Sequence, residues 1–157
     1  MLAGYVLLAL LFTWPLVLHF ATHVPGDGSD DPALAWNLWW AKYALLDLHT
    51  NPLQTDFMFY PIGLNLAYFT ITLLNGLVAI PLQALFGLIA ANNIIVIASF
   101  ALSGYGAYLL ARHVLSSADH SVPEWITPLA SFLAGVVFAF AQGKFLFAGF
   151  GQVNVLS

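Results

Sequence analysis

The sequence predicts an all-α fold: a polytopic helical membrane protein with three spans, one juxtamembrane or re-entrant helix, and an interfacial helix in the first external loop. Three observations lead there. The 157 residues are 61% hydrophobic and only 6% charged, whereas a soluble domain carries about 25% charged residues. The apolar residues come in runs long enough for bilayer crossings of about 20 residues. Two of those runs carry small residues at every fourth position, the stripe that lets membrane helices approach one another closely.

The first span covers about residues 1–22. A signal peptide would carry a basic n-region and a shorter apolar core; here no Lys or Arg precedes Lys42. Pro15 falls inside this run, where a bilayer span tolerates it as a kink. An external loop follows over about residues 23–91. It opens on the turn-rich "HVPGDGSDDP" and continues as "DPALAWNLWWAKYALLDLH", which reads as a helix with Asp31 as N-cap and Pro32 in the first helical position. Trp36, Trp39, Trp40 and Tyr43 share one face at i, i+3, i+4, i+7 spacing, with Asn37, Ala41 and Lys42 away from it. Aromatics of this kind favour the headgroup level, so the helix is expected to lie flat on the membrane with its tryptophans at the lipid interface.

Residues 68–88 are apolar, but Thr70, Thr72, Asn75, Pro81 and Gln83 dilute them, which suits either a crossing or a re-entrant helix. The second and third spans cover about residues 92–112, with the stripe Ser99, Ser103, Ala107 and Ala111, and 125–142, with the stripe Ser131, Gly135, Ala139 and Gly143. If Arg112 lies on the cytoplasmic side and 68–88 does not cross, the acidic loop and residues 143–157 share the opposite face. The chain stops at "GQVNVLS" straight after an apolar segment. It reads as the N-terminal part of a single transmembrane domain in a longer protein, inactive by itself.

Composition excludes some chemistry. Without cysteine there is no disulfide, thiolate catalysis or Cys-based metal site. A net charge of −4 argues against a nucleic-acid partner. The acids that remain are gathered: Asp27, Asp30 and Asp31 are three of the seven acidic residues. Crowded carboxylates repel one another unless a hard cation neutralises them, so Asp30 and Asp27 are candidate ligands for a divalent cation. The spacing lacks the glycine and glutamate of an EF-hand loop, and a solvated turn with a helix cap explains it as well. His19 and His23, four residues apart, lack the glutamate of a zinc-protease helix. The loop "TDFMFYPIGLNLAY" crowds Asp56 and Tyr60 among aromatics and reads as a packed surface or as a sugar- or lipid-facing rim.

Together, the N-terminal span, the acidic loop running into "WNLWW", and the stretches "TDFMFYPIGLNLAY", "AIPLQALFG", "LSGYGAYLLAR" and "GQVN" resemble the bacterial integral-membrane glycosyltransferases of the GT-C type. That superfamily includes oligosaccharyltransferases, protein O-mannosyltransferases and aminoarabinose transferases. The resemblance implies a multi-pass protein of the bacterial inner membrane that transfers a sugar from a polyprenyl-phosphate donor, among membrane lipids, at the extracytoplasmic face. It implies an essential acid in the first external loop, acting as catalytic base or beside Mg or Mn. Asp30 matches best, Asp31 next and Asp27 third. It also implies a second polar cluster after the third span, here Lys144, Gln152 and Asn154, in which this sequence has no acid. It favours 68–88 as a juxtamembrane or re-entrant helix. A transporter or channel subunit, or a non-enzymatic membrane scaffold, is the alternative.

Overall fold

The computed structural model describes residues 1–118 and 125–152. Helix α1 spans Leu2–Phe12. At 1.5 Å per residue its 11 residues extend about 16 Å, half of a bilayer core of about 30 Å. Pro15 is the reason that the expected first span is not one helix. Its ring removes an N–H and collides with the carbonyl four residues back, and the Thr13 hydroxyl donates to the Ala9 carbonyl at 2.7 Å. The chain turns there and resumes as a short 3₁₀ turn, Leu16–His19. Pro15 therefore ends the helix where a kink was expected.

Helix α2 spans Asp31–Lys42, with Asp30 in the N-cap position and Pro32 second in the helix. The boundary lies one residue earlier than the sequence suggested. A π-helical turn, Tyr43–Asp47, prolongs it. The expectation that all three tryptophans face lipid is corrected at Trp40. Trp40 is only 2% exposed and packs with Ala44 and Leu66, while Trp36 and Trp39 are half-buried against the same cluster. Asn37, expected to face away, is also 2% exposed. Both polar groups find backbone carbonyls: Trp40 Nε1 donates to Pro52 at 2.9 Å and Asn37 Nδ2 to Thr70 at 2.8 Å. A buried indole or amide is tolerated only with such a partner, and these two draw the helix into the following loop. That loop is pinned by a short antiparallel ladder, β1 (Gln54–Thr55) with β2 (Leu64–Asn65), in which Gln54 faces Asn65.

Helix α3 spans Leu73–Phe86. Its 14 residues reach about 21 Å, too short for a crossing. Its faces are inverted relative to a helix in water. Asn75, Gly76, Ala79 and Gln83 are buried, and Leu74, Leu77, Val78 and Leu85 are exposed. Two of the polar residues that dilute this segment, Asn75 and Gln83, are thus on its packing face, while Thr70 and Pro81 stay exposed. Gln83 Nε2 donates to the Leu38 carbonyl at 2.8 Å, and a side chain on Gly76 would run into the Ala41 methyl. One residue, Gly87 at φ +82°, separates α3 from α4, and glycine takes that left-handed backbone without steric cost.

Helix α4, Leu88–Ala118, is 31 residues long. Its segment Leu88–Ser117 is the one unbroken helix among the described residues that is long and apolar enough to cross a membrane, and only 33% of its most apolar stretch is buried by the rest of the protein. Helix α5, Ile126–Ala139, and helix α6, Gln142–Gly149, form a pair bent by 40°. The expected third span therefore ends at Ala139.

Helices α1 and α5 run antiparallel to α4. Tyr5 lies beside Gly104, whereas the Asn93 amide reaches the Phe20 and His23 carbonyls at 2.8 and 2.7 Å. Phe132 accepts a hydrogen bond from the Tyr5 hydroxyl at 3.0 Å, and Phe140 stacks on Phe100. The acidic loop and the α4 N-terminus thus share one end of the bundle, and Met1 and Arg112 the other. Of the expected stripe, Ser131, Gly135 and Ala139 pack inward, whereas Gly143 falls on α6 beyond the bend and is exposed. On α4 the close contacts are made by Gly104 and Tyr108, one position over from the expected stripe, and by Ala101. Ser103, Ala107 and Ala111 instead line an open apolar groove with Ala134 and Phe138.

Two outcomes follow. A Cβ at Gly135 would overlap the Tyr5 hydroxyl and the Gly104 carbonyl, so Gly135→Leu is expected to destabilise the bundle by about 1–3 kcal/mol, measured by detergent-denaturation of the purified protein. Cysteines placed at Ser29 and Ser116 are expected to react with an impermeant maleimide from opposite sides of the membrane. Labelling of both from one side would contradict the arrangement.

Candidate functional site

The end of the bundle that carries the acidic loop also receives the chain after α6. The three aspartates behave differently there. Asp27 Oδ1 accepts from the Ser29 amide at 2.9 Å, and Asp31 Oδ1 accepts from the Gly28 amide at 2.8 Å. Both bonds stay within the loop, the local side-chain-to-backbone pattern typical of aspartate in turns. Asp30 instead reaches across the molecule, where its Oδ2 accepts a hydrogen bond of 2.5 Å from Gln152 Nε2.

Two glycines make that meeting possible. A side chain on Gly26 or on Gly151 would strike Asp31, and Gly151 takes φ +68° directly before Gln152. The loop and the segment after α6 therefore meet with their backbones nearly in contact. Asp30 and Gln152 line a cavity of about 290 Å³ with Ala33, Leu34, Phe69 and Thr70. One side is a carboxylate and an amide, the other mostly apolar. Asn37, a turn farther along α2, holds the Thr70 carbonyl, and its own Oδ1 is buried without a hydrogen-bond partner among the described residues.

The other residues singled out in the sequence go elsewhere. Lys144 does not join Asp30. Its ammonium donates to Ser103 Oγ at 2.7 Å and to the Ser99 carbonyl at 3.3 Å, 5.6 Å from the centre of the Phe100 ring. Those partners lie near the middle of α4, and none is a carboxylate. Asn154 lies outside the described residues. Asp56 lines a second, larger cavity of about 650 Å³ beside Trp40, and Tyr60 stands 82% exposed at the tip of the neighbouring loop. Gln152 is thus the member of the second polar cluster that the fold brings to Asp30. The lining by Phe69 and Thr70 had no signal in the sequence beyond the polar residues of that stretch.

A divalent cation needs several oxygen ligands. Among the described residues no three His, Asp or Glu come together as a ligand set, and Asp27 and Asp31 are turned to loop amides. His19 and His23 stack edge-to-face at 4.9 Å, a pair without a third donor. The described residues therefore offer Mg or Mn at most the free oxygen of Asp30, with any further ligands coming from water or phosphate.

Gly151→Ala is expected to push the acidic loop off the end of α6, because the new methyl group would meet Asp31 and the Pro25 carbonyl. Limited proteolysis with an endoproteinase that cuts before aspartate measures this. Cleavage at Asp27–Asp31 should accelerate several-fold in the variant, while cleavage at Asp56 stays unchanged.

Compared with known proteins, the chain matches no family model, no curated protein and no solved structure, so a functional reading rests on its own residues.

Proposed function

We propose that the chain is the first part of a multi-pass membrane glycosyltransferase that moves a sugar from a polyprenyl-phosphate donor to an acceptor hydroxyl at the extracytoplasmic face of a bacterial inner membrane. The observation that carries the reading is the contact between Asp30 and Gln152, 122 residues apart, over a small cavity at the loop end of an apolar bundle. In this reading the Gln152 amide occupies one oxygen of the Asp30 carboxylate and aims the other. The acceptor hydroxyl gives its proton to Asp30 as its oxygen attacks the anomeric carbon. The bond from that carbon to the phosphate oxygen breaks, and the polyprenyl phosphate leaves with the electron pair. Asp30 is the catalytic residue, and Asp31 holds the loop in shape through Gly28. Lys144 sits too far along α4 to meet the leaving phosphate beside Asp30, and no step is assigned to a metal.

A second reading, a transporter or channel subunit, is favoured by one observation. Lys144 places a cation against the middle of the apolar helix α4, and ionisable groups at that depth mark substrate paths. A non-enzymatic scaffold has no comparable feature in its favour.

One measurement separates these readings: transfer from a polyprenyl-phosphate sugar to an acceptor, in membranes containing the full-length protein at matched expression. A positioned base contributes about 10²–10⁴-fold, so Asp30→Asn is expected to lower transfer by about a hundredfold or more while insertion is unchanged. Asp31→Asn keeps the oxygen that accepts from Gly28 and is expected to stay within a few-fold of the parent. Full activity in Asp30→Asn would reject the role of Asp30.

A further inference from the structure

The larger cavity, about 650 Å³, lies apart from Asp30. Its floor includes Trp40, ten residues farther along α2, or about 15 Å of helix. Its walls are fixed. The Trp40 indole is tied to the Pro52 carbonyl, the Leu66 amide donates to the Leu53 carbonyl at 2.7 Å, and Gln54 pairs with Asn65 across the ladder. Gly63 lets the two strands close. It takes φ +74°, and a Cβ there would lie 2.9 Å from the Thr55 carbonyl oxygen.

Two asparagines in these walls are oriented, and several exposed polar groups have no hydrogen-bond partner among the described residues, which leaves them open to a ligand in place of water. Asn51 Oδ1 accepts from the Leu53 amide at 3.0 Å, and Asn65 Oδ1 accepts from the Ala67 amide at 2.9 Å. Each asparagine spends its oxygen on its own loop, which fixes the amide plane and leaves the NH₂ donors without a partner among the described residues. The carboxylate of Asp56 and the amide of Gln54, both lining the cavity, have no hydrogen-bond partner among the described residues either. The lining therefore offers fixed N–H donors beside one carboxylate acceptor, and no Lys or Arg contributes to it. An anion would meet an unopposed negative charge. A cation would find a single carboxylate among amide donors. A hydroxyl both donates and accepts, so neighbouring hydroxyls on a ring can give a hydrogen bond to Asp56 and take one from Asn51 or Asn65 at once. The volume lies within the roughly 300–1,000 Å³ of small-molecule sites.

We infer that this cavity binds a neutral, hydroxyl-rich ring, a saccharide unit. Taking that unit as the non-reacting part of the acceptor rests on the transferase reading; the binding itself does not. The separation of about 15 Å along α2 then means that an acceptor is held by a distal sugar while another group is presented near Asp30.

The test uses the full chain in phosphatidylcholine nanodiscs, free of sugar-based detergent, and saturation-transfer NMR with methyl glycosides of glucose, galactose, mannose and N-acetylglucosamine. At least one is expected to give a saturable signal. Asp56→Asn removes the charge without changing shape. Asn65→Asp keeps an oxygen to hold Ala67 and replaces the donors with a second carboxylate oxygen, which carries a negative charge into the lining. Each is expected to weaken binding by about tenfold, the scale of one lost charge-assisted or buried hydrogen bond. Glucose 1-phosphate is expected to bind more weakly than the methyl glucoside. Absence of any glycoside signal, unchanged affinity in both variants, or equal binding of the anion would overturn the inference. Glycoside binding by a protein without transfer activity would sink the transferase reading and leave this one standing; transfer without glycoside binding would do the reverse.

Discussion

Neutral side-chain amides donating to backbone carbonyls hold this fold together where its helices break. Asn93 gathers the Phe20 and His23 carbonyls, Asn37 takes that of Thr70, Gln83 that of Leu38, and the Trp40 indole that of Pro52. Each spans from 12 to 73 residues of sequence. A chain with three basic residues cannot pin its loops with ion pairs. In a medium without water, an unpaired carbonyl is costly enough that irregular backbone survives only where the protein satisfies it. Each such bond contributes about 0.5–1.5 kcal/mol net, and leaving its carbonyl orphaned costs more.

The same constraint explains the inverted faces. In α3 the amides point in and the leucines out, the arrangement an apolar surround would favour, since it rewards burying polar groups and gives no reason to bury leucine. Helix α4 follows suit, with Leu102, Leu109 and Leu110 exposed and Asn92 and Asn93 buried near its start. Where helices do touch closely, they do so through glycine and alanine, so that Tyr5 can lie between Gly104 and Gly135. The loop end follows the same logic, with the Thr70 and Pro52 carbonyls held by Asn37 and Trp40 and with Gly26 and Gly151 admitting Asp31.

Much of the helix content was legible, because apolar runs, turn residues and the polar dilution of 68–88 are local signals. The α5 stripe was legible for the same reason. What composition could not reveal was which side of each helix would be covered. Trp40 looked like an interfacial anchor, since an aromatic face suits both a lipid boundary and a protein cluster. The choice fell to the Pro52 carbonyl and the ring of Phe57, which come from sequence beyond the helix. Pro15 was read as a kink because its effect depends on Thr13 closing the helix behind it. Asp30 was distinguishable from Asp31 only by resemblance. Their different surroundings arise from Gly26 and Gly151, whose roles need three dimensions to see. Lys144 was grouped with Gln152 by proximity in the chain, but on opposite sides of the last turns they reach α4 and the acidic loop respectively.

The long reach of the Asp30–Gln152 contact sets a clock on biosynthesis. Residues are added at about 5–20 per second, so the loop waits roughly 6–24 s between the emergence of Asp30 and that of its partner 122 residues later. During that interval the Asp30 carboxylate is without its amide, and the cavity it lines lacks one wall. The cavity is therefore completed only after α4 and α5 are made, so a nascent chain interrupted before residue 152 would carry Asp30 without the amide that binds it.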